Sequence, residues 1–329
     1  MSTSSVCKKL SQFFLGTFFL LFVATLTCWV LPWSKYWSLI EDLLLYMPRW
    51  LIWLPLVLSG VFYPSFFFQQ RHKIVFVSLL ILISYLDFQL PAYDLSTPER
   101  KPEALSLMSV NMGGGNYNPE IISEIAKNRP SIIAFQETPG QVARQLIPKN
   151  WYLHCRGQMC LGSMYNFTFV DGIARKSLGG WGNLGLLYQL KWQQRTLYIM
   201  NVHLETPRKG FEQFQWSKLN FRSLLESSEN RFLEAKIVSN WAQLIAPLII
   251  VGDFNMTVES SIYRNAFGRF NNAFSQLGFG FGRTKFTRFH GLRIDHILYD
   301  HSFQAVVANV GDNFGSDHKA VYAELIYNN

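Results

Sequence analysis

Ile249-Ile250-Val251-Gly252-Asp253-Phe254-Asn255 is an apolar run that stops at a carboxylate and, two positions on, at an amide. Five other stretches close in a similar way. Asn111 ends Ser109-Val110-Asn111, Gln136 and Glu137 end the run that begins at Ile132, and Asn201-Val202-His203, Ile294-Asp295-His296 and Ser316-Asp317-His318 set polar side chains beside apolar runs. Short apolar runs rich in branched and aromatic residues and bounded by polar ones read as buried strands. Strand ends hold side chains rigidly, which suits the ligands, base and phosphate contacts of a metal-assisted phosphoester hydrolase. One Asp or His after an apolar run is more often a turn residue or a satisfied core polar group. Six such endings in one chain are hard to assign to turns.

In order and spacing, SVN at 109–111, IIAFQE at 132–137, NVHLE at 201–205, IIVGDFN at 249–255, RIDHIL at 293–298 and GSDHKAV at 315–321 resemble the signature blocks of the endonuclease/exonuclease/phosphatase superfamily, the DNase I-like fold. The resemblance runs from about Leu105 to the C-terminus. It implies a four-layer α/β sandwich, two packed mixed sheets flanked by helices. It also implies that Glu137 is the principal ligand of Mg²⁺ or Mn²⁺, with Asn111 and Asp317 as direct or water-mediated partners. Asp253 would orient and deprotonate the attacking water, and Asn255 would hold that water or a phosphate oxygen. His318 would touch the phosphate as an imidazolium whose ring and charge Asp295 fixes, and His203 would be the second histidine, a phosphate contact or general acid.

Between Glu137 and His203 many members supply a tyrosine or arginine to the phosphate, and here Tyr165, Arg175 and Asn183 are loosely placed candidates. His296, next to Asp295 on a strand, should face the opposite side and be structural. His154, His290 and His301 read as surface or loop residues, and Gly113 to Gly115 as a turn beside the metal site.

The chain has 329 residues, 49% hydrophobic and only 16% charged, and the apolar excess sits at the front. Phe13 to Leu31 and Trp50 to Phe68 carry no charge and are long enough to cross ~30 Å of hydrocarbon as helices. Ile74 to about Ala92 is a third candidate, interrupted by Asp87 near the far interface. These runs predict a membrane domain at 1–93 with about three transmembrane helices, a polar linker at 94–103 and a catalytic domain at 104–329. A cleaved signal peptide competes for the first run, which is long and lacks a small-x-small cleavage site. Buried core helices compete for all three, against their aromatic content and missing polar face.

Lys8 and Lys9 in the tail and Arg71, His72 and Lys73 in a tight loop mark the cytoplasmic side, so three crossings leave the catalytic domain extracytoplasmic. If the third run does not cross, the domain faces the cytosol.

In the catalytic domain the coarse pattern gives strands at 105–110, 131–136, 184–190, 195–202, 247–251, 294–299 and 319–326. Helices are expected at 119–128 and, broken, over 212–245. Cys155 and Cys160 are close enough in sequence to pair or to remain free thiols. Residues 101–329 hold 23 Lys and Arg against 17 Asp and Glu, a balance that attracts nucleic acid, anionic headgroups and soluble phosphates alike. Arg283, Lys285, Arg288 and Arg293, interleaved with Phe286 and Phe289, are either a solvated basic loop or an anionic-substrate rim. The reading is a membrane-anchored, metal-dependent phosphoesterase acting on a lipid-linked phosphate beside the bilayer. The alternatives are a surface nuclease cutting DNA or RNA, and a degenerate binding domain.

Overall fold

The computed structural model describes residues 3–90, 103–114, 119–214, 221–287 and 289–328. It opens with helices α1 (Thr3–Val30), α2 (Trp37–Tyr46), α3 (Leu54–Phe62), α4 (Pro64–Gln69) and α5 (Arg71–Ser84), with a 3-10 turn at Arg49–Trp53. Among the described residues α1 is the one helix long and apolar enough by itself to cross a membrane. The second apolar run is not one rod. It is broken at Tyr63, where Pro64 cannot continue the hydrogen-bond ladder, and α2 meets the Arg49–Phe62 segment at a 93° bend. The third run forms only the 14 residues of α5, ~21 Å of helix.

The rest of the chain forms β1 (Leu105–Asn111), α6 (Glu120–Asn128), β2 (Ile132–Gln136), α7 (Gly140–Leu146), β3 (Tyr152–Arg156) and β4 (Met159–Ser163). Then come β5 (Phe167–Ala174), β6 (Asn183–Trp192), β7 (Arg195–His203), α8 (Arg208–Gln213), α9 (Arg222–Ala242) and β8 (Leu248–Asp253). The last part contains α10 (Ser261–Phe267), β9 (Asn271–Asn272), α11 (Ala273–Leu277), β10 (Lys285–Phe286), β11 (Gly291–Leu292), β12 (Asp295–Tyr299), β13 (Phe303–Val310) and β14 (Val321–Tyr327). One six-stranded sheet runs β13-β14-β1-β2-β4-β3, the other β5-β6-β7-β8-β12-β9. Both are mixed, because β1 lies parallel to β2 and β7 parallel to β8 while the neighbouring pairs are antiparallel.

Alternate residues of each sheet meet in a dry core, among them Leu107 and Leu161 from one and Leu186, Ile199, Val251 and Ile297 from the other. The outer face of the first sheet packs on α6 and α7 through Ile121, Phe135 and Leu146. The outer face of the second packs on α9 and α10 through Val238, Ile250 and Phe267. The result is the expected four-layer sandwich. Asn201 is one of its internal ties, bonded to Gln136 and to the carbonyls of Phe135 and Cys160 across the two sheets. Cys155 and Cys160 face each other across β3 and β4 and are disulfide-bonded.

The N-terminal helices do not hang from a leash. The linker expected at 94–103 lies outside the described residues apart from Glu103, yet the helices before it are already docked on the sandwich. Arg231 of α9 is fully buried in an ion pair with Asp42, Arg49 pairs with Glu259 at 2.9 Å, and Arg293 pairs with Asp87 at 2.7 Å. Glu41 accepts bonds from the Ser261 amide and hydroxyl, Trp33 stacks on Phe232, and Leu292 and Ile294 join the helices' own apolar core. Asp87, expected near the far membrane interface, is therefore a buried partner of Arg293, two residues before Asp295.

Candidate active site

Parallel pairing sets His203 at the end of β7 beside Asp253 at the end of β8, and antiparallel pairing sets Asp295 at the start of β12 on the other side of Asp253. The ends of β1 and β2 bring Asn111 and Gln136 level, with Glu137 one residue beyond. The site therefore straddles the ends of both sheets.

Gly252 makes the approach possible. Its φ is +145°, and a Cβ there would lie 2.0 Å from the Val202 carbonyl oxygen, so only glycine lets β8 pass β7 at the step before Asp253. Glu137 and Asn255 both sit in the left-handed region, at φ 51°, which side chains adopt at a cost that the surrounding structure must hold in place.

The Asn111 amide donates to Asp253 at 2.9 Å and to Glu137 at 3.3 Å, while its oxygen accepts from the Gly113 amide. It thus bridges the carboxylates of the two sheets, and in this arrangement its oxygen is already used. Asp253 is buried, accepts from the Asn255 backbone at 2.8 Å, and stands 3.8 Å from His318 Nε2 and 3.9 Å from His203 Nε2. Burial first, and the nearby Asp295 charge second, push its carboxyl up to about 7, where a general base works best near neutral pH.

His318 Nδ1 is 3.0 Å from Asp295. Burial disfavours the charged ring, but Asp295 and then Asp253 outweigh it and raise His318 to about 9. The same pairing, helped by the Thr284 hydroxyl, outweighs burial at Asp295 and holds its carboxyl below the usual range. Loss of water keeps His203 well below its ordinary value although Glu137 lies 3.6 Å away. At neutral pH His318 is a cation and His203 a neutral imidazole.

Asp317 is half-exposed and ion-paired with Lys285, whose strand bridges His318. Lys285, seen in sequence only as part of a basic stretch, is the residue that sequence reasoning missed. Asn255 donates its side-chain amide to the Leu204 carbonyl, which fixes the turn after Asp253.

None of the three candidates between Glu137 and His203 has a side chain bonded to the side chains of this cluster. Tyr165 packs on the inter-sheet core, Asn183 donates to the Arg156 carbonyl, and Arg175 pairs with Glu234 while donating to the His203 carbonyl from behind. His296 is structural as expected, buried against Phe254 and Tyr263, bonded to the Met256 carbonyl and held neutral by burial. His154 departs from expectation, for it lies in β3, stacked on Phe169. His290 lines a cavity rather than open surface. Gly115 and Arg288 lie outside the described residues.

Asp253, Asp295 and His318 can bring one ligand atom each within 4.8 Å of one another. The bond from His318 Nδ1 to Asp295 favours an acid–imidazolium pair there over a metal cage. Glu137, a third exposed, leaves carboxylate oxygens open toward the site, and the donor set contains oxygen and imidazole but no thiolate, as a hard divalent cation requires.

Residues 108–318 match the model of the Endonuclease/Exonuclease/phosphatase family. The chain belongs to this family. Its members are hydrolases acting on phosphoesters. D. rerio TDP2 complexed with a single-strand DNA product has a similar fold, with a TM-score of 0.52 at 16% identity over 68% of this chain and 99% of that one. The 3′ phosphatase NExo from Neisseria, bound to a product DNA hairpin, gives 0.51 at 17% identity over 68% and 100%. No curated protein matches the sequence.

Proposed function

We propose that this member of the family is a membrane-anchored, divalent-metal-dependent phosphoesterase that hydrolyses a phosphomonoester or phosphodiester. The observation that carries the reading is the meeting of Glu137, Asn111, Asp253, His203 and the Asp295–His318 pair where the two sheets end. Glu137 would hold Mg²⁺ or Mn²⁺, with Asp317 released from Lys285 to join it and Asn111 steering Glu137 and Asp253. Bound there, the cation would neutralise charge developing on the phosphate. Asp253 takes the proton of the attacking water. His318, fixed by Asp295, offers Nε2–H to a phosphate oxygen, and His203 orients the opposite side of the group. Asn255 acts by shaping the turn that aims Asp253.

The membrane assignment, 1–93, is supported by α1, only 22% of whose most apolar window is buried and which exposes Phe13 and Leu20, and by exposed Val61, Phe68, Phe76 and Leu79 on neighbouring helices. Ser11 of α1 bonds Ser59 of α3, while Trp29 at the other end of α1 bonds the Ser84 carbonyl at the end of α5. Lys8, Lys9 and Arg71 to Lys73 thus share one end, and the sandwich, held through Cys28, Leu31 and Asp87, is at the other. By the positive-inside rule that arrangement favours an extracytoplasmic catalytic domain. A catalytic domain docked on helices that enter the bilayer would favour lipid-linked phosphate as substrate. The second reading, a nuclease, is favoured by the DNA products held by the two similar structures.

Purified full-length protein assayed on a lipid phosphate, a small phosphodiester and plasmid DNA separates these readings. Faster cleavage of lipid phosphate supports the first, and DNA cleavage exceeding every other activity replaces it with the second.

A further inference from the structure

A cavity of about 90 Å³ lies on the seam between the N-terminal helices and the sandwich, behind the β10–β11 hairpin. Its wall includes Arg49, Trp50, Asp87, Thr257, Arg283 and Arg293. The volume exceeds the ~10–15 Å³ that one water needs, so it admits a group of several heavy atoms.

Two of its cations are already matched, Arg49 by Glu259 and Arg293 by Asp87. Arg283 is not. No carboxylate among the described residues pairs with it, and its guanidinium lies over the Phe281 ring, 4.4 Å from the centroid. Gly291 gives its stem room, since a Cβ there would come within 2.9 Å of Arg283 Cδ. Burial and the nearby Arg49 hold Arg283 below the ordinary arginine range, the mark of a guanidinium short of a counter-charge. Beside it, Thr257 is 1% exposed and its buried hydroxyl has no hydrogen-bond partner. Buried hydroxyls without partners are uncommon, and an unmatched arginine in the same wall calls for an acceptor-rich anion.

We propose that this cavity binds the phosphate group of an anionic ligand, at a site distinct from the catalytic one. Arg283 forks onto two phosphate oxygens and Thr257 donates to a third, while Arg49 and Arg293 stay in their ion pairs with Glu259 and Asp87. The phosphate is either that of a phospholipid headgroup, for which Trp50 at the rim supplies an interfacial aromatic, or a free phosphate. The site is independent of what the catalytic residues hydrolyse. It joins Arg49 of the helices to Thr257 of the turn that follows Asp253, so its occupant would tighten the seam.

The test is thermal unfolding of the full-length protein in detergent with EDTA present, titrated in separate arms with inorganic phosphate and short-chain phosphatidic acid, and with diacylglycerol as the phosphate-free control. A ligand that binds only the folded state raises the midpoint with concentration. The expected result is a rise with a phosphate-bearing ligand and none with diacylglycerol, with affinity at least ~10-fold weaker in Arg283→Gln and in Thr257→Val, the second being nearly isosteric. Equal affinity in the two arms identifies the phosphate group itself as the ligand, and tighter binding of phosphatidic acid identifies a headgroup. The proposal is overturned if neither ligand shifts the midpoint, or if the shift survives both substitutions, in which case its disappearance in His318→Ala would assign it to the catalytic site.

Discussion

Asp295 and His318 form a buried pair in which the carboxylate, 3.0 Å from Nδ1, turns the far nitrogen of the ring toward Asp253. The pair raises His318 to about 9, so the imidazolium persists through neutral pH. Hydrolysis should therefore decline as pH rises through about 9, and Asp295→Asn should move that alkaline limb down toward the ordinary histidine value. The raised His318 contributes stability that is fully present below its ordinary value of ~6.5 and is lost as pH rises through about 9, while the lowered Asp295 carboxyl contributes stability that is lost as pH falls through its folded value. A kcat/KM profile whose alkaline limb is the same in the Asp295→Asn variant would remove His318 from the charged role.

The seam between helices and sandwich should be essential to stability. Arg231 is fully buried against Asp42, and breaking such a pair by removing one partner costs ~3–5 kcal/mol. Asp42→Ala should lower the thermal midpoint sharply in detergent, whereas Asp42→Leu combined with Arg231→Met should recover most of the loss. A midpoint for Asp42→Ala equal to that of the parent would show that the helices are not docked in this way.

Topology is open to direct measurement. Helix α1 carries Lys8 and Lys9 near its N-terminal end, away from the sandwich docked at Cys28 and Leu31, so a reporter at the N-terminus and one fused after Asn328 should report opposite sides of the membrane. Both reporters active in the cytosol would exclude an exported catalytic domain.

Much of the sandwich is legible in the sequence because its central strands are long apolar runs with polar ends, and those ends are the candidate site. The alternation rule places His296 away from Asp295, and the structure buries it against Met256 and Phe254. What escapes is what depends on distant partners. The β5 strand is half-exposed and polar at Asp171, so no apolar run announces it. Lys285 finds Asp317 across 32 residues through a hairpin of two-residue strands, too short for any periodicity. Arg231 on α9 is indistinguishable in sequence from a solvated helix charge, and only the fold shows that Asp42, 189 residues earlier, covers it. The apolar front of the chain is readable as membrane-like, and Pro64 accounts locally for the break at Tyr63, but the capture of Asp87 by Arg293 is set by packing on the sandwich.

The cluster at Asp253 makes separate demands on turnover and on folding. Asp253→Asn and His318→Ala should each reduce kcat by at least ~10²-fold at a temperature where circular dichroism shows the variant folded, as loss of a base or of a transition-state contact does, although His318→Ala, which leaves Asp295 unpaired, should also lower the thermal midpoint. A rate within threefold of the parent in either variant would reject its role.

The central claim is that Glu137 anchors a divalent cation for phosphoester hydrolysis. It is tested most directly by the rate of hydrolysis as Mg²⁺ or Mn²⁺ is titrated back into EDTA-treated protein, for the parent and for Glu137→Gln. The predicted result is no activity in EDTA, recovery with either ion, and a metal requirement raised by at least ~10-fold in the variant. Full activity of the parent in EDTA, or identical metal curves for the two proteins, would contradict it.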